Sequence, residues 1–448
     1  MLNNLKIRPT VLFINWTTRG RDIEIDLPLF YFCERVLGWE VKHVSMFNLP
    51  MILQTRPDLV LMPNTTGGAR QVEIARLIRQ SGIPLFSHVS EGMFREEDLE
   101  EFVWGAGKSE KILYEELCMY WSQRCVDLAL NAYPELVDKL RLSGAVGFDK
   151  YSFLKVNKIK FKDFKKYIGF AGFDYHNLIQ KKEVLITSVG LESFNILIET
   201  AKLTNEILTQ LIIDNPDICF LLKSHPGDGP DKTSLEFIGL EKYENAYFVD
   251  KKTSILDVIG SSDIWLSYNS STNLEAWLLK KPSISFLTNE KSFSSNLLYG
   301  AVNSSDYNRI NQYIDEYYSS GKLIDFDEKI NFRETAIKEY IGYADGLNHV
   351  RYMRELCDYL QKSLDIGLDR KWKVDWKIRL KAYSQHFLYS LSRGMFKTPF
   401  LKNWSEYYYI YDELELETKK NSWFQDLDVF HKVNEDAVAE IFSDEVDF

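Results

Sequence analysis

The chain has 448 residues, 45% of them apolar and 27% charged, and carries a net charge of −11. That length exceeds one ordinary hydrophobic core and implies two or three domains. The acidity argues against general nucleic-acid binding, and no run approaches the ~20 apolar residues that a bilayer span requires. Cys33, Cys118, Cys125, Cys219 and Cys357 show no CxxC, and His and Cys never fall at metal-ligand spacing. They read as reduced core thiols of a cytoplasmic protein, with no metal and no cofactor expected.

The opening MLNNLKIRPTVLFINW reads as no signal peptide, because Val11–Asn15 is a buried strand with no cleavage site behind it. Strands are predicted at Thr10–Asn15, Glu40–Ser45, Leu59–Pro63, Leu85–Val89 and Leu128–Ala132, and helices at Leu27–Leu37 and Ala69–Ser81. Short apolar runs without polar alternation indicate strands buried on both faces, hence a parallel sheet. Three polar stretches follow these strands. TTRGRDIEID carries Asp22, Glu24 and Asp26, flanked by Arg19 and Arg21. It serves either as helix N-terminal charge or as an acceptor-binding and base cluster. Asn64 and Thr65 open a turn that lines a cleft but lacks GxGxxG spacing. Ser90-Glu91-Gly92 presents a carboxylate beyond the strand Leu85–Val89, where Glu91 acts as a general base or as a helix-start acid.

From Tyr151 to Lys182 the pattern breaks into a Lys/Phe-rich stretch. We draw a first Rossmann-like acceptor domain over 1–165, a linker over 166–182 and a second Rossmann-like domain over 183–345. The second is predicted to begin with a strand at Val184–Val189, followed by a helix over Ser193–Ile213 and strands at 218–223, 246–249, 264–268 and 283–287. Two of these strands end in polar residues. Lys223 and His225-Pro226 follow one; Ser270, Ser271 and Thr272 follow the other and open a helix bearing Glu275. In open α/β sheets ligands sit at carboxyl strand ends, so the pair points to a nucleotide site. The competing readings are a plain N-cap at Ser270–Thr272, a strand stop at His225-Pro226 and an ordinary strand-end lysine at Lys223. Two such halves facing a cleft give an α/β fold of the GT-B type; one large doubly wound sheet is the rival topology.

Residues 346–448 are predicted to be a helical, aromatic-rich extension. Between Arg370 and Trp404 lysines and arginines alternate with Trp372, Trp376, Tyr383 and Phe387. This is the composition of a membrane-facing surface, or of aromatics packed on the α/β domains with lysines in solvent. The pairs Asp325/Asp327 and Asp426/Asp428 read as solvated surface, not as metal ligands.

Three of these marks together resemble a family: His225-Pro226, the pair Ser270 and Ser271 before Glu275, and Ser90-Glu91-Gly92. The chain resembles bacterial surface-carbohydrate and capsule transferases that use CMP-activated acidic sugars. These include Kdo and nonulosonic acid transferases and, more distantly, sialyl- and polysialyltransferases. The sialyltransferase form of the third motif has two acids before the glycine, and here the first is Ser90. SGAVGFDKYSFL (143–154) is similar to the stretch that closes the first domain in capsule transferases.

The resemblance covers roughly residues 10–345. It implies transfer of an ulosonic sugar from CMP to a glycan acceptor, lipid-linked at the inner membrane face. His225 and Glu91 would be catalytic, with Asp22 or Glu24 as the alternative base. His225, Pro226, Ser270, Ser271, Thr272, Glu275 and Lys223 would hold CMP, and Arg19, Arg21, Asn64 and Thr65 would line the acceptor side. Alternatives in the same frame are a UDP-sugar or CDP-glycerol transferase, and a nucleotide-binding module without catalysis.

Overall fold

The computed structural model describes all residues except 1–7, 19, 67, 91, 93–95, 106–110, 174–181, 226–233, 269, 287–298, 364–375, 381, 385–386, 388–411 and 444–448. The chain divides into two compact units, Met1–Leu154 with Lys338–Phe448, and Lys155–Ile337.

The first unit carries β1 (Thr10–Asn15), α1 (Arg21–Tyr31), β2 (Glu40–Ser45), α2 (Leu49–Thr55), β3 (Leu59–Pro63), α3 (Ala69–Gln80) and β4 (Leu85–His88). It continues with α4 (Leu99–Trp104), β5 (Leu117–Tyr120), α5 (Gln123–Ala132), β6 (Leu140–Leu142) and α6 (Lys150–Phe153). The strands form one parallel sheet in the order β2-β1-β3-β4-β5-β6. Strand β1 shows why. VLFI is apolar at every position, and alternate side chains leave for opposite faces. Val11 and Phe13 enter one core; Leu12 and Ile14 enter another with Ile74 and Ile78 of α3.

The second unit carries β7 (Lys166–Ala171), α7 (Lys182–Val189), α8 (Leu191–Asp214), β8 (Ile218–Lys223), β9 (Ala246–Phe248), α9 (Ile255–Ser261), β10 (Ile264–Ser267), α10 (Thr272–Leu278), β11 (Ser283–Phe286) and β12 (Val302–Ser304). Helices α11 (Tyr307–Ser320), α12 (Ile324–Asp327) and α13 (Ile330–Ile341) follow. Its sheet is parallel in the order β12-β11-β10-β7-β8-β9. Read from β9, this is the 3-2-1-4-5-6 order of a Rossmann sheet, whose direction of winding reverses between β7 and β10. Two six-stranded sheets exclude the single large sheet, and the two Rossmann-like halves of the sequence reading stand.

The chain then returns to the first unit as α14 (Asn348–Ser363), α15 (Glu413–Val433) and α16 (Glu435–Ser443). These helices are no appendage. Val350, Met353, Leu356, Trp423, Phe424 and Leu427 share one core with Val11, Phe13 and Phe86, and so cover one face of the first sheet together with Ile23, Leu27 and Phe30 of α1.

Four sequence expectations are corrected. Residues 128–132 end the helix α5, whose Cys125, Val126 and Ala129 face inward; the strand lies earlier, at the short run LCMY. Residues 184–189 belong to helix α7, so the β-branched run VLITSV yields to its setting. The strand that opens the second sheet is β7, inside the stretch read as linker. Gly169 at its centre masks the apolar run, and glycine is needed there because a side chain would collide with Ser262 and Trp265. The helix expected at Leu27–Leu37 begins at Arg21 and ends in a π-helical turn, Phe32–Val36.

Candidate functional site

In the second unit, the carboxyl ends of β7 and β10 meet at the reversal of winding, where doubly wound sheets bind ligands. Strand β7 runs on into Gly172, whose N–H donates to the Lys223 carbonyl at 2.8 Å. The Phe173 N–H then donates to the buried carboxylate of Glu236 at 2.7 Å. The Phe173 ring meets Tyr268, just past β10, edge to face at 5.6 Å. These aromatics line the junction of the two strands.

The turn after β10 is held from behind by two hydrogen-bond systems. Ser267 donates to Asn273 Oδ1 at 2.9 Å, and Asn273 Nδ2 donates to Ser285 Oγ at 2.9 Å. Ser285 closes the ring on Ser267 at 3.2 Å. All three are fully buried, and every polar group in the ring is satisfied. In the second system Trp265 Nε1–H donates to Thr272 Oγ1 at 3.0 Å. Thr272 in turn gives both its hydroxyl proton (3.0 Å) and its backbone N–H (3.2 Å) to Ser270 Oγ. Ser270 thus holds the turn by accepting from Thr272, while the N-cap of α10 is Ser271, whose side chain makes no capping bond. Ser271 and Thr272 are half-buried beside it, and Glu275 is buried one turn into α10.

His225 lies two residues beyond β8, the strand beside β7, and is half-buried. Lys223 is buried, with Nζ donating to the Lys251 carbonyl at 3.2 Å. Pro226 lies outside the described residues. The strand order therefore brings His225 and the Ser270–Glu275 turn to one edge of one sheet, on strands flanking β7.

The first unit treats its candidates differently. Glu91 and Arg19 lie outside the described residues, as does the side chain of Arg21. Of the described neighbours of Glu91, the Ser90 N–H donates to Asn64 Oδ1 at 2.9 Å, and a side chain at Gly92 would strike the Trp121 indole. Asn64 itself adopts φ +47°, so its side chain serves the turn. Thr65 is buried and donates to Glu115 at 2.7 Å. Asp22 is half-buried at the start of α1. Glu24 receives Lys150 Nζ at 2.7 Å and Lys419 Nζ at 3.0 Å. Burial alone would raise its pKa, but the two ammonium groups pull it down to about 2. A carboxylate so stabilised is a poor base near neutral pH; it ties α1 to α6 and α15.

The sequence reading missed a buried polar cluster under the same strand edge. Asn15 ends β1, His88 ends β4, Asp26 stands on α1 and Tyr352 on α14. Asn15 Nδ2 donates to Asp26, whose other oxygen is 3.6 Å from His88 Nε2, and the His88 ring meets Tyr352 at 5.9 Å. Burial pushes the Asp26 carboxyl well up and His88 down to about 3, disfavouring the charged form of each. A second system joins Asp149, His349 and His431. His349 Nδ1 and Asp149 Oδ2 are 2.8 Å apart, and the two imidazoles meet Nε2 to Nε2 at 2.7 Å. Neither cluster has a local spacing to betray it, since its members are scattered across the chain. Among the described residues no group of three or more His, Cys, Asp and Glu side chains is arranged to hold a metal ion.

No family model matches the chain, and no curated protein matches it in sequence. Solved structures do match in fold. A UDP co-structure of S. aureus MnaA aligns with a TM-score of 0.52 at 14% identity, over 79% of this chain and 96% of its own. A putative UDP-N-acetylglucosamine 2-epimerase from Listeria monocytogenes aligns at 0.53 and 11% identity, over 82% of this chain and 100% of its own. Another UDP-N-acetylglucosamine 2-epimerase aligns at 0.51 and 11%, over 80% and 97%. At these identities the likeness is one of fold, the GT-B-like pair of Rossmann units. The structures that share it are named for UDP or for UDP-N-acetylglucosamine 2-epimerases, and against them the CMP-sugar partner and ulosonic acid transfer expected from the sequence are set aside.

Proposed function

We propose that the protein is an enzyme of UDP-activated sugars, with the nucleotide at the winding reversal of the second unit. The observation that carries the reading is the strand order, which brings the braced Ser270–Thr272 turn and His225 to strands on either side of β7. The nucleotide specificity rests on the UDP and UDP-sugar names of proteins with the same fold. In this reading Ser270 and Ser271 donate to the diphosphate, Glu275 accepts from ribose hydroxyls, and His225 stabilises the charge that develops on the leaving phosphate. Glu91, on the first unit, takes the proton from the reacting hydroxyl or sugar carbon. The reading extends to a cytoplasmic protein in peripheral contact with a membrane, supported by the basic and aromatic stretch from Arg370 to Trp404.

Calorimetric titration with UDP, UDP-N-acetylglucosamine, CMP and CDP-glycerol tests the nucleotide. UDP is expected to bind about tenfold or more tightly than CMP. Replacing Ser270 and Ser271 by Ala should weaken UDP by about 1–3 kcal/mol, the cost of lost phosphate hydrogen bonds. No binding of UDP, or a double variant with unchanged affinity, overturns the assignment. Product analysis after incubation with UDP-sugars then separates release of UDP from a change in the sugar.

A further inference from the structure

The helical residues between 376 and 387 divide into two faces. Ile378 and Ala382 point inward and pack with Leu49 and Leu53 of α2 and Leu77 of α3. Tyr383 ties the helix sideways through its hydroxyl, 3.3 Å from Gln54 Nε2. At ~100° per residue, Trp376, Leu380, Tyr383 and Phe387 fall within an arc of roughly 60°, turned away from Ile378 and Ala382. They are 67%, 62%, 54% and 63% exposed. Single exposed apolar residues are ordinary, but a row of four marks an interaction surface. Lys377 and Arg379 flank the row on its two sides, and the Lys377 ammonium lies 6.0 Å from the centre of the Trp376 ring.

We propose that this row is the docking face for an anionic lipid membrane. The four apolar side chains would enter the boundary between headgroups and acyl chains, and Lys377 and Arg379 would meet headgroup phosphates. The inference rests on the reading of peripheral membrane contact and names the surface that makes it.

Three features select a bilayer as the occupant. Trp and Tyr, apolar with a polar tip, are favoured at the membrane interface. At the helical rise, the eleven steps from Trp376 to Phe387 would span about 16 Å, and the clamp on Ile378 and Ala382 holds this face flat, the attitude of an interfacial helix. The charge is also complementary. A chain of net charge −11 is repelled by an anionic surface, yet nine Lys and Arg against one Asp stand between Arg370 and Trp404, so the approach is steered to this region. A symmetric second copy would bring Lys377 and Arg379 against the same charges of its partner.

Flotation of the full chain with vesicles of phosphatidylcholine, alone or mixed with phosphatidylglycerol, tests this at low and high salt. The protein is expected on the anionic vesicles at low salt, with a loss of about tenfold or more on neutral vesicles or at high salt. The double variant Trp376→Ser with Phe387→Ser should lose about tenfold or more of the binding while melting as the parent does, because both residues are exposed. Lys377→Glu with Arg379→Glu should lose binding on anionic vesicles alone. If the parent chain binds no vesicle, both this face and the membrane reading fail. If it binds and neither double variant changes it, this face is wrong and the membrane contact lies elsewhere. Self-association that disappears in the Trp376/Phe387 variant, without vesicle binding, assigns the row to a second copy and overturns the proposal.

Discussion

Asp26 Oδ1 and His88 Nε2 face each other at 3.6 Å in a place that solvent does not reach. Burial raises the carboxyl well above its ordinary 3.8 and lowers the imidazole from 6.5 to about 3. The raised Asp26 value gives stability that is lost as pH rises; the lowered His88 value gives stability that is lost as pH falls. Once the unfolded His88 has lost its proton above 6.5, the raised Asp26 value alone acts, and it makes stability fall as pH rises. Asp26→Asn should flatten that alkaline limb in denaturant unfolding. An unchanged slope would mean that Asp26 is already ionised in the folded protein.

Glu24 should behave in the opposite sense. Its value is lowered to about 2, so its stabilisation is present above the ordinary 4.5 and is lost as pH falls toward 2. Glu24→Gln leaves the buried Lys150 without its carboxylate, and breaking such a pair typically costs about 3–5 kcal/mol. Thermal melts at neutral pH would show the loss; a shift near zero would return Glu24 to the candidate bases.

The ring Ser267–Asn273–Ser285 predicts a linked effect on stability and binding. Asn273→Leu keeps the volume but takes a hydrogen-bond partner from each of two buried hydroxyls, at about 1–3 kcal/mol. The variant should melt earlier and bind UDP more weakly, because the ring sets the turn that bears Ser270. Loss of stability with full affinity would detach the ring from the site.

Removing α15 and α16 should abolish folding of the first unit. Leu416, Trp423, Phe424, Leu427 and Val438 are buried there. At about 1.5–3 kcal/mol each, their removal matches the whole stability of a typical domain. Soluble expression of a chain ending before Glu413 with native circular dichroism would contradict this.

Most strands were legible because VLFI, LVLM and ICFLL are apolar at every position, as strands covered on both faces must be. Strand β5 was not, since LCMY is short and low in contrast, and β7 was hidden by Gly169, whose reason is the crowding of Trp265 and Ser262. The second-unit turn was visible because Ser270–Glu275 is contiguous. Its bracing by Trp265 and Ser285, and the meeting of Asp26 with His88 and Tyr352, depend on topology that no local spacing encodes. The donor was misread because hydroxyls and a histidine at strand ends speak of phosphate and say nothing of the base attached to it.

The first sheet's cover has a cost during synthesis. Cys33 and Met353, whose sulfur atoms touch in the common core, are 320 residues apart. At roughly 5–20 residues per second, the ribosome takes about 15–60 s to pass from one to the other, and until then that core lacks the helices α14 to α16. The second unit, which lies wholly between them in sequence, is complete by then and can fold on its own timetable. Newly made chains should therefore be most prone to aggregate, and most dependent on chaperones, in the interval when the second unit has formed and the first still waits for α14 to α16.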